Sequence, residues 1–179
     1  MEFEKLISER YSLRSMDASR YVEKEKLEKI AMAARVAPSA CNLQRHRLKI
    51  VTGDAGIKKM QGCTTCHFNA PAVIIISLDK DTKDSPMDEN SGMKFGLIDV
   101  GIVAAHMALE AVTLGLGTTI VGMFDEKKIR EEFDIPDTQI PVLIMPVGYP
   151  DEKGGPCILH KSRLPIEKTT EWYNISSDN

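Results

Sequence analysis

Two arginines and a serine near the N-terminus have the residue types and spacing to bind an anion. Arg10, Ser12 and Arg14 alternate with Tyr11 and Leu13 directly after a short amphipathic segment. Arginine offers a planar fork of N–H donors that matches a phosphate group, and the serine hydroxyl is a further donor between the two forks. Taken alone, the same residues fit a solvated basic turn at least as well.

Two further clusters could take part in binding. Ser39, Asn42 and Gln44 lie between a predicted helix end and a predicted strand, and their donors and acceptors could match the edge of a flat heterocycle. Helix-end capping and turn formation explain these residues equally well. Lys161 and Arg163 form a cationic pair late in the chain that by itself is typical of a solvated surface.

The cysteines allow several interpretations. Residues 63–67 match the attachment motif of c-type haem, and Cys63, Cys66, Cys157 and His160 together have the spacing of a zinc site. A thioredoxin-like redox pair is a third possibility, although such a motif usually opens a helix and here a strand is expected to follow. Inert or mildly redox-sensitive thiols are the favoured interpretation.

Composition and charge narrow the class of protein. The 179 residues suit one domain, and 42% of them are hydrophobic and 27% charged. The net charge of -3 argues against a nucleic-acid binder, which normally displays a basic face. Residues 1–12 lack the continuous apolar core of a signal peptide, and the apolar stretch 95–121 contains Asp99, His106 and Glu110, which are costly in a bilayer. We therefore expect a single-domain cytoplasmic protein without a nucleic-acid or membrane partner.

Periodicity predicts the elements that must position these residues. Helices are expected over residues 2–9, 27–34, 55–61, 94–114 and 126–133, the fourth buried on most faces and the last capped by Asp125. Strands are expected over residues 48–51, 72–78, 118–122 and 142–147. Residues 79–92 are predicted to form a loop or partly ordered lid, and residues 151–179 a tail with too few apolar residues for a core of its own.

The order and spacing of the motifs resemble the nitroreductase family of FMN-dependent oxidoreductases. The likeness runs from Phe3 to Trp172 and rests on seven pieces, in order Arg10-x-Ser12-x-Arg14, Ala37-Pro38-Ser39-x-x-Asn42-x-Gln44, Asp99-x-Gly101, Gly115-Leu116-Gly117 with Gly122, Pro141, Gly148-Tyr149-Pro150, and Lys161-Ser162-Arg163-Leu164-Pro165. It implies an α+β fold of three α-β-α layers with a mostly antiparallel sheet. It also implies an intertwined homodimer in which residues 151–179 wrap the partner subunit.

The resemblance also implies which residues bind the cofactor. Arg10, Ser12 and Arg14 would hold the phosphate and ribityl end of FMN, joined by Lys161 and Arg163. The flavin ring would be lined, from the opposite subunit, by a segment that includes Pro38, Ser39, Cys41, Asn42 and Gln44. Val121 and Gly122 would offer backbone N–H groups to the N5 and O4 region of the ring.

The activity implied by the resemblance is a ping-pong electron transfer. NADH or NADPH would pass hydride to flavin N5 and leave, and a small acceptor such as a nitroaromatic or a quinone would then be reduced, without a catalytic side chain. A specialised family member is the alternative, for flavin fragmentation, dehalogenation or redox sensing through Cys63 and Cys66. The chain departs from the family pattern at Arg45-His46, where Pro-Trp is common, at His106, where an amide is common, and at Cys63, near the place of an asparagine. The acceptor is therefore left open.

Overall fold

The computed structural model describes residues 2–81 and 89–173, and a four-stranded antiparallel sheet forms its centre. The strands are β1 (His46–Thr52), β2 (Ala72–Asp79), β3 (Gly117–Thr118) and β4 (Gln139–Gly148), in the order β1-β2-β4-β3. All three strand pairs are antiparallel. The predicted antiparallel sheet is confirmed, although the strand expected over 118–122 shortens to two residues and an isolated bridge at Val121.

Strand β2 is central because both of its faces are apolar. Ala72, Ile74 and Ile76 belong to the core on one side of the sheet, and Val73 and Ile75 to the core on the other. Successive side chains of a strand point to opposite faces, so an unbroken apolar run requires cover on both.

Helices supply that cover, and they arrange the protein in three layers. The helices are α1 (Phe3–Glu9), α2 (Lys24–Arg35), α3 (Gly53–Cys63), α4 (Glu89–Thr113) and α5 (Glu126–Glu132). Helices α2 and α4 contribute to the core on one face of the sheet, and α3 and α5 to the core on the other. The α+β class is thereby confirmed. The predicted cap of α5 is confirmed too, since the side chain of Asp125 accepts a hydrogen bond from the N–H of Lys128.

Helix α4 differs from its prediction in two ways. It begins at Glu89 rather than 94, so the predicted loop over 79–92 is wrong for residues 89–92, while residues 82–88 lie outside the described residues. In the single chain α4 is not buried on most faces as expected, because Phe95, Leu97 and Ile98 are 41%, 45% and 48% exposed. Helix α4 shares a core with α2 and the sheet, and α1 contacts it as well. Residues 90–113 are long and apolar enough to cross a membrane, and 44% of the most apolar stretch within them is buried inside this fold.

The end of α4 leads directly to the functional region. Gly115 adopts a φ of 73°, which reverses the chain, and the N–H of Leu116 donates to the carbonyl of Ala111 across the helix end. Strand β3 therefore begins at Gly117, beside the segment that follows α1. The tail from Asp151 contains two short 3₁₀ turns, Ile158–Lys161 and Ile166–Lys168, and almost all of its described residues are exposed.

Candidate functional site

The segment after α1 is held in an extended conformation against β3. Leu13 donates its N–H to the carbonyl of Thr118 at 3.0 Å, and the hydroxyl of Thr119 donates to the carbonyl of Leu13. Leu13 is fully buried. Since side chains alternate along an extended segment, Ser12 and Arg14 point away from the core that holds Leu13.

Hydrogen bonds tie the beginning of the tail to this same segment. The hydroxyl of Ser15 donates to the carboxylate of Asp151 at 2.7 Å, and the phenol of Tyr11 donates to the carbonyl of Gly154 at 3.5 Å. The bond from Ser15 lowers the pKa of Asp151, so this carboxylate is ionised at neutral pH. Further along the tail, Nε2 of His160 lies 3.1 Å from the carbonyl oxygen of Ser8.

These contacts form a cationic pocket from the two ends of the chain. Its volume is about 200 Å³, and it is lined by Arg10, Tyr11, Ser12, Arg14, Cys157, Leu159, His160 and Arg163. Three guanidinium groups and no carboxylate stand in this lining. Within the described residues, Arg163 donates only to the carbonyls of Leu159 and Ser162, and neither Arg10 nor Arg14 forms an ion pair. The arginines are thus free to bind an external anion.

Lys161 lies beside this pocket rather than in it. It lines a neighbouring cavity of about 500 Å³ that shares Tyr11 and His160 with the arginine pocket. Glu9 lines the same cavity, so the local charge there is mixed. The four predicted cations are therefore divided: the three arginines line one pocket, and Lys161 lines the neighbouring cavity.

The amide-rich cluster at residues 39–44 forms a separate, strained turn. Cys41, Asn42 and Gln44 have φ values of 50°, 54° and 48°, a backbone conformation that residues other than glycine rarely adopt. Ser39 accepts a hydrogen bond from the N–H of Gln44 at 3.0 Å, and the Gln44 amide donates to the carbonyl of Asn42 at 3.2 Å. A residue other than glycine that is held at a positive φ costs about 1–3 kcal/mol, and such strained residues are concentrated at functional sites.

Asp99 on α4 holds this turn in place. Asp99 is 4% exposed, and both of its carboxylate oxygens accept from the N–H of Ala40, at 3.1 and 3.2 Å. The sequence signal was present, because an acid inside an apolar helix needs a partner, but sequence reasoning did not assign this role. In a single chain, neither Pro38 nor the turn lines the arginine pocket.

One prediction about the backbone near β3 is wrong. The N–H of Val121 donates to the carbonyl of Ile144 at 3.0 Å, and its own carbonyl accepts from the N–H of Ile144 at 2.9 Å. Val121 therefore has no N–H to offer a ligand. The neighbouring Gly122 is exposed, and its N–H forms no hydrogen bond within the part of the chain that the structure describes.

The cysteines do not converge on one site. Cys63 is buried at the end of α3, where burial raises the pKa of its thiol, whereas Cys157 and His160 line the arginine pocket. Over residues 2–81 and 89–173, no group of three or more His, Cys, Asp or Glu side chains could hold a metal ion. The four-ligand zinc hypothesis is therefore wrong. Nδ1 of His106 lies 2.9 Å from the carbonyl oxygen of Ile102 on the same helix, and its predicted role as a packing residue stays a prediction.

Tyr11, Cys157 and His160 are pocket residues that sequence reasoning missed in this role. The rings of Tyr11 and His160 meet edge to face, with centroids 6.0 Å apart. The nearest sequence signal was the position of His160 directly before Lys161, but nothing in the spacing of residues 8 to 160 shows that the two ends of the chain meet.

Comparisons with known proteins all point to the nitroreductase family. The sequence profile described as "Nitroreductase family" matches residues 7–68 and 62–149. A protein of Archaeoglobus fulgidus, provisionally named NADH dehydrogenase/NAD(P)H nitroreductase, is 31% identical over 157 residues, which cover 83% of this chain and 86% of that protein.

Two solved structures extend the likeness over nearly the whole chain. A nitroreductase family protein of Clostridium difficile 630 superposes with a TM-score of 0.82 at 35% identity, covering 98% of this chain and all of the other. A protein of Clostridium difficile R20291, described as an FMN-dependent nitroreductase, superposes with a TM-score of 0.75 at 27% identity, covering 97% of this chain and all of the other.

Proposed function

The chain belongs to the nitroreductase family, and from that premise we propose that it is an FMN-dependent oxidoreductase that takes hydride from NADH or NADPH and reduces a small acceptor such as a nitroaromatic or a quinone. The observation that carries the proposal is the pocket in which Arg10 and Arg14 meet Arg163. The related protein described as FMN-dependent supports FMN as the cofactor of this chain too.

The lining of the pocket fits a phosphate group. Arginine forks and the Ser12 hydroxyl are donors, a phosphate dianion is an acceptor at every oxygen, and no lining carboxylate competes for the arginines. A hydrogen bond to a charged group contributes about 1.5–3 kcal/mol, so a few of them are enough to hold a mononucleotide by its tail. When bound, the flavin supplies the hydride transfer that the side chains of this protein do not provide.

The residues predicted to line the flavin ring require a second copy of the chain. The turn at residues 39–44 is pre-shaped by its strained backbone and by Asp99, yet in one chain it stands apart from the arginine pocket. The exposed apolar residues of α4, together with tail residues such as Leu164 and Trp172, which are 71% and 85% exposed, offer the surface for such a pairing. A homodimer of two intertwined chains would bury them and complete each site.

The chain's own part in the reaction is then to bind and orient. The arginines would hold the phosphate, and the turn of the partner chain and the N–H of Gly122 would hold and orient the ring, which when bound would supply the hydride transfer. Positioning of this kind accounts for rate without a nucleophile or a general base. Thiol-based sensing through Cys63 gains no support, because burial raises the pKa of that thiol and so disfavours the reactive thiolate.

The first experiment removes the phosphate contacts. Purified protein is expected to be yellow with FMN, and Arg10→Ala combined with Arg163→Ala is expected to abolish the colour. Lys24→Ala combined with Lys127→Ala is the matched control, because it removes the same charge from exposed helix pairs that contribute little. Full cofactor content in the arginine variant, or wild-type protein that stays colourless with excess FMN, would contradict the proposal.

The second experiment separates a reductase from a specialised family member. Anaerobic mixing of the yellow protein with NADH, and separately with NADPH, is expected to bleach the flavin absorbance with at least one of them. Addition of a nitroaromatic or a quinone should then restore the colour. Protein that binds FMN but is bleached by neither donor would exclude the reductase activity while leaving the cofactor assignment intact.

A further inference from the structure

A short turn at the start of the tail, residues 151–154, packs tightly against the segment after α1. Met16 and Pro150 form an antiparallel bridge immediately before this turn. A Cβ on Gly154 would stand 2.6 Å from the carbonyl oxygen of Ser15, so the two backbones approach more closely than a side chain would allow. The turn therefore fixes where the tail begins relative to the arginines of that segment.

The side chain of Asp151 holds both parts of this arrangement. One carboxylate oxygen accepts from the hydroxyl of Ser15 at 2.7 Å, and the other accepts from the N–H of Lys153 at 2.8 Å. The backbone closes the turn as well, because the N–H of Gly154 donates to the carbonyl of Asp151 at 3.0 Å. A single side chain thus stabilises the turn and joins it to the segment after α1.

The rest of the tail has few other contacts to hold it. Every described residue from 151 to 173 is exposed or only partly buried, so apolar burial does not anchor this part of the chain. Arg163 is exposed too, and within the described residues it donates only to carbonyls of the tail itself. Beyond the turn, the hydrogen bond between His160 and Ser8 is the one that joins the described tail to the rest of the chain. The position of Arg163 therefore depends on how the tail is fixed where it begins.

We propose that Asp151 is a positioning residue for phosphate binding, which holds the tail in the place from which Arg163 reaches the arginine pocket. The inference rests on the proposed function, since it takes the phosphate of FMN to be the anion bound there. Neither Asp151 nor Ser15 lines the pocket, so an effect on FMN must act through the residues that they position. A tail released at its start would have to be ordered again whenever phosphate binds, and that entropic cost lowers the affinity.

The charge of Asp151 distinguishes this role from an electrostatic one. A carboxylate near a site for a phosphate dianion repels the ligand, so removal of the negative charge alone should tighten FMN binding. If Asp151 positions the tail, removal of its hydrogen bonds should weaken FMN binding although the repelling charge is lost as well. The two effects have opposite signs, so a single comparison of affinities separates them.

The test is an FMN titration of flavin-free protein. Asp151→Ala removes the hydrogen bonds and the charge, whereas Ser15→Ala removes only the bond that joins the turn to the segment after α1. Both variants are expected to bind FMN roughly tenfold more weakly or worse, since what they lose is the bond between one arginine and the phosphate. Wild-type or tighter binding in both would overturn the proposal.

Two further variants serve as controls. Asp151→Asn removes the charge but can still bond to Ser15 and Lys153, because its amide N–H donates to the hydroxyl while its oxygen accepts from the backbone. It is expected to bind FMN at least as tightly as wild type. Ser19→Ala removes a serine hydroxyl that donates to the carboxylate of Asp17 at 2.6 Å, a bond of the same kind that does not involve the tail, and it should leave the affinity unchanged.

A double-mutant cycle with Arg163 gives a readout that a general loss of stability would not move. Arg163→Ala retains Arg10 and Arg14 and is expected to bind FMN weakly but measurably. In that background Ser15→Ala should cause no further loss, because its hydrogen bond acts through Arg163. A loss of the same size in both backgrounds would overturn the role of Asp151.

A perturbation of the backbone tests the turn independently of its side chains. Gly154→Ala places a methyl group against the carbonyl of Ser15, so it is expected to displace the turn and to weaken FMN binding as Asp151→Ala does. Gly155→Ala is the neighbouring control, because a Cβ there meets nothing within 4 Å. If Asp151→Ala does not fold, Ser15→Ala and this pair of variants replace it.

The outcomes distinguish this inference from the proposed function. Wild-type protein that does not bind FMN would overturn both. Wild-type protein that binds FMN, together with Ser15→Ala and Gly154→Ala variants that bind it equally well, would overturn the role of Asp151 alone.

Discussion

Gly117 lies so close to Leu13 that no side chain fits between them: a Cβ on Gly117 would stand 2.7 Å from the Cβ of Leu13 and closer still to its Cδ2. This approach lets the segment after α1 lie on β3, where Leu13 donates to the carbonyl of Thr118. Since Ser12 and Arg14 flank Leu13, the absence of a side chain at residue 117 determines where the cationic pocket forms.

Gly117→Ala is therefore expected to weaken cofactor binding as well as stability. The added methyl group must displace Leu13, and overpacking of this kind costs about 1–3 kcal/mol in the free energy of unfolding. Thermal unfolding and FMN titration measure the two effects. Gly62→Ala is the control, because a Cβ there meets nothing within 4 Å, and it should leave FMN affinity unchanged. Wild-type affinity in Gly117→Ala would show that the close approach does not position the pocket.

Asp99 is expected to control the ring-lining turn without touching the phosphate pocket. Asp99→Leu leaves the N–H of Ala40 without its acceptor, and an unsatisfied buried donor costs about 1–3 kcal/mol. Asp99→Asn retains a carbonyl oxygen for that N–H and serves as the matched control. We expect a changed visible spectrum of bound FMN in the leucine variant and a nearly normal one in the asparagine variant. Identical spectra in all three proteins would remove Asp99 from the site.

The cysteines should differ sharply in their reaction with an alkylating reagent. Cys41 and Cys157 are exposed, whereas Cys63 is buried and has a raised pKa. Only the thiolate reacts, so at neutral pH Cys63 should be labelled last, and its labelling should accelerate at more alkaline pH than that of an ordinary thiol. Peptide mass spectrometry after timed labelling measures this order.

FMN should protect one of these cysteines selectively. Cys157 lines the arginine pocket, so bound phosphate is expected to slow its alkylation, while riboflavin at the same concentration should not. Cys63 lies outside the pocket and is the internal reference. Equal labelling of Cys157 with and without FMN would argue that the phosphate binds elsewhere.

The homodimer can be tested on the exposed side of α4. Leu97→Glu combined with Ile98→Glu places two charges on a surface that is apolar in the single chain, and it is expected to yield monomers by sedimentation analysis. Those monomers should lose the flavin colour although the arginine pocket is intact, because the ring-lining turn of the partner is missing. Ile50→Glu changes a comparably exposed residue on β1 and should leave the dimer intact. Yellow monomers would separate FMN binding from dimerisation.

Most of the secondary structure could be predicted because it depends on local patterns. The β-branched run of β2, the Asp125 cap and the glycine at residue 115 each act over a few residues, and all three were found where expected. The burial of α4 was overestimated for the opposite reason: periodicity shows that a face is apolar but not which chain covers it.

The sequence by itself determined the family and the antiparallel α+β class, and it singled out Arg10, Arg14 and Arg163 as candidate phosphate ligands. The resemblance implied that Lys161 and Arg163 both join Arg10 and Arg14, and only the tertiary structure decided that Lys161 lies outside their pocket and that the carbonyl of Ile144 occupies the N–H of Val121. The contacts responsible, Ser15 with Asp151 and His160 with Ser8, join residues 136 and 152 positions apart. The periodicity of apolar residues reflects only neighbours within one helix or strand, so it carries no information about hydrogen bonds between residues so far apart in the sequence.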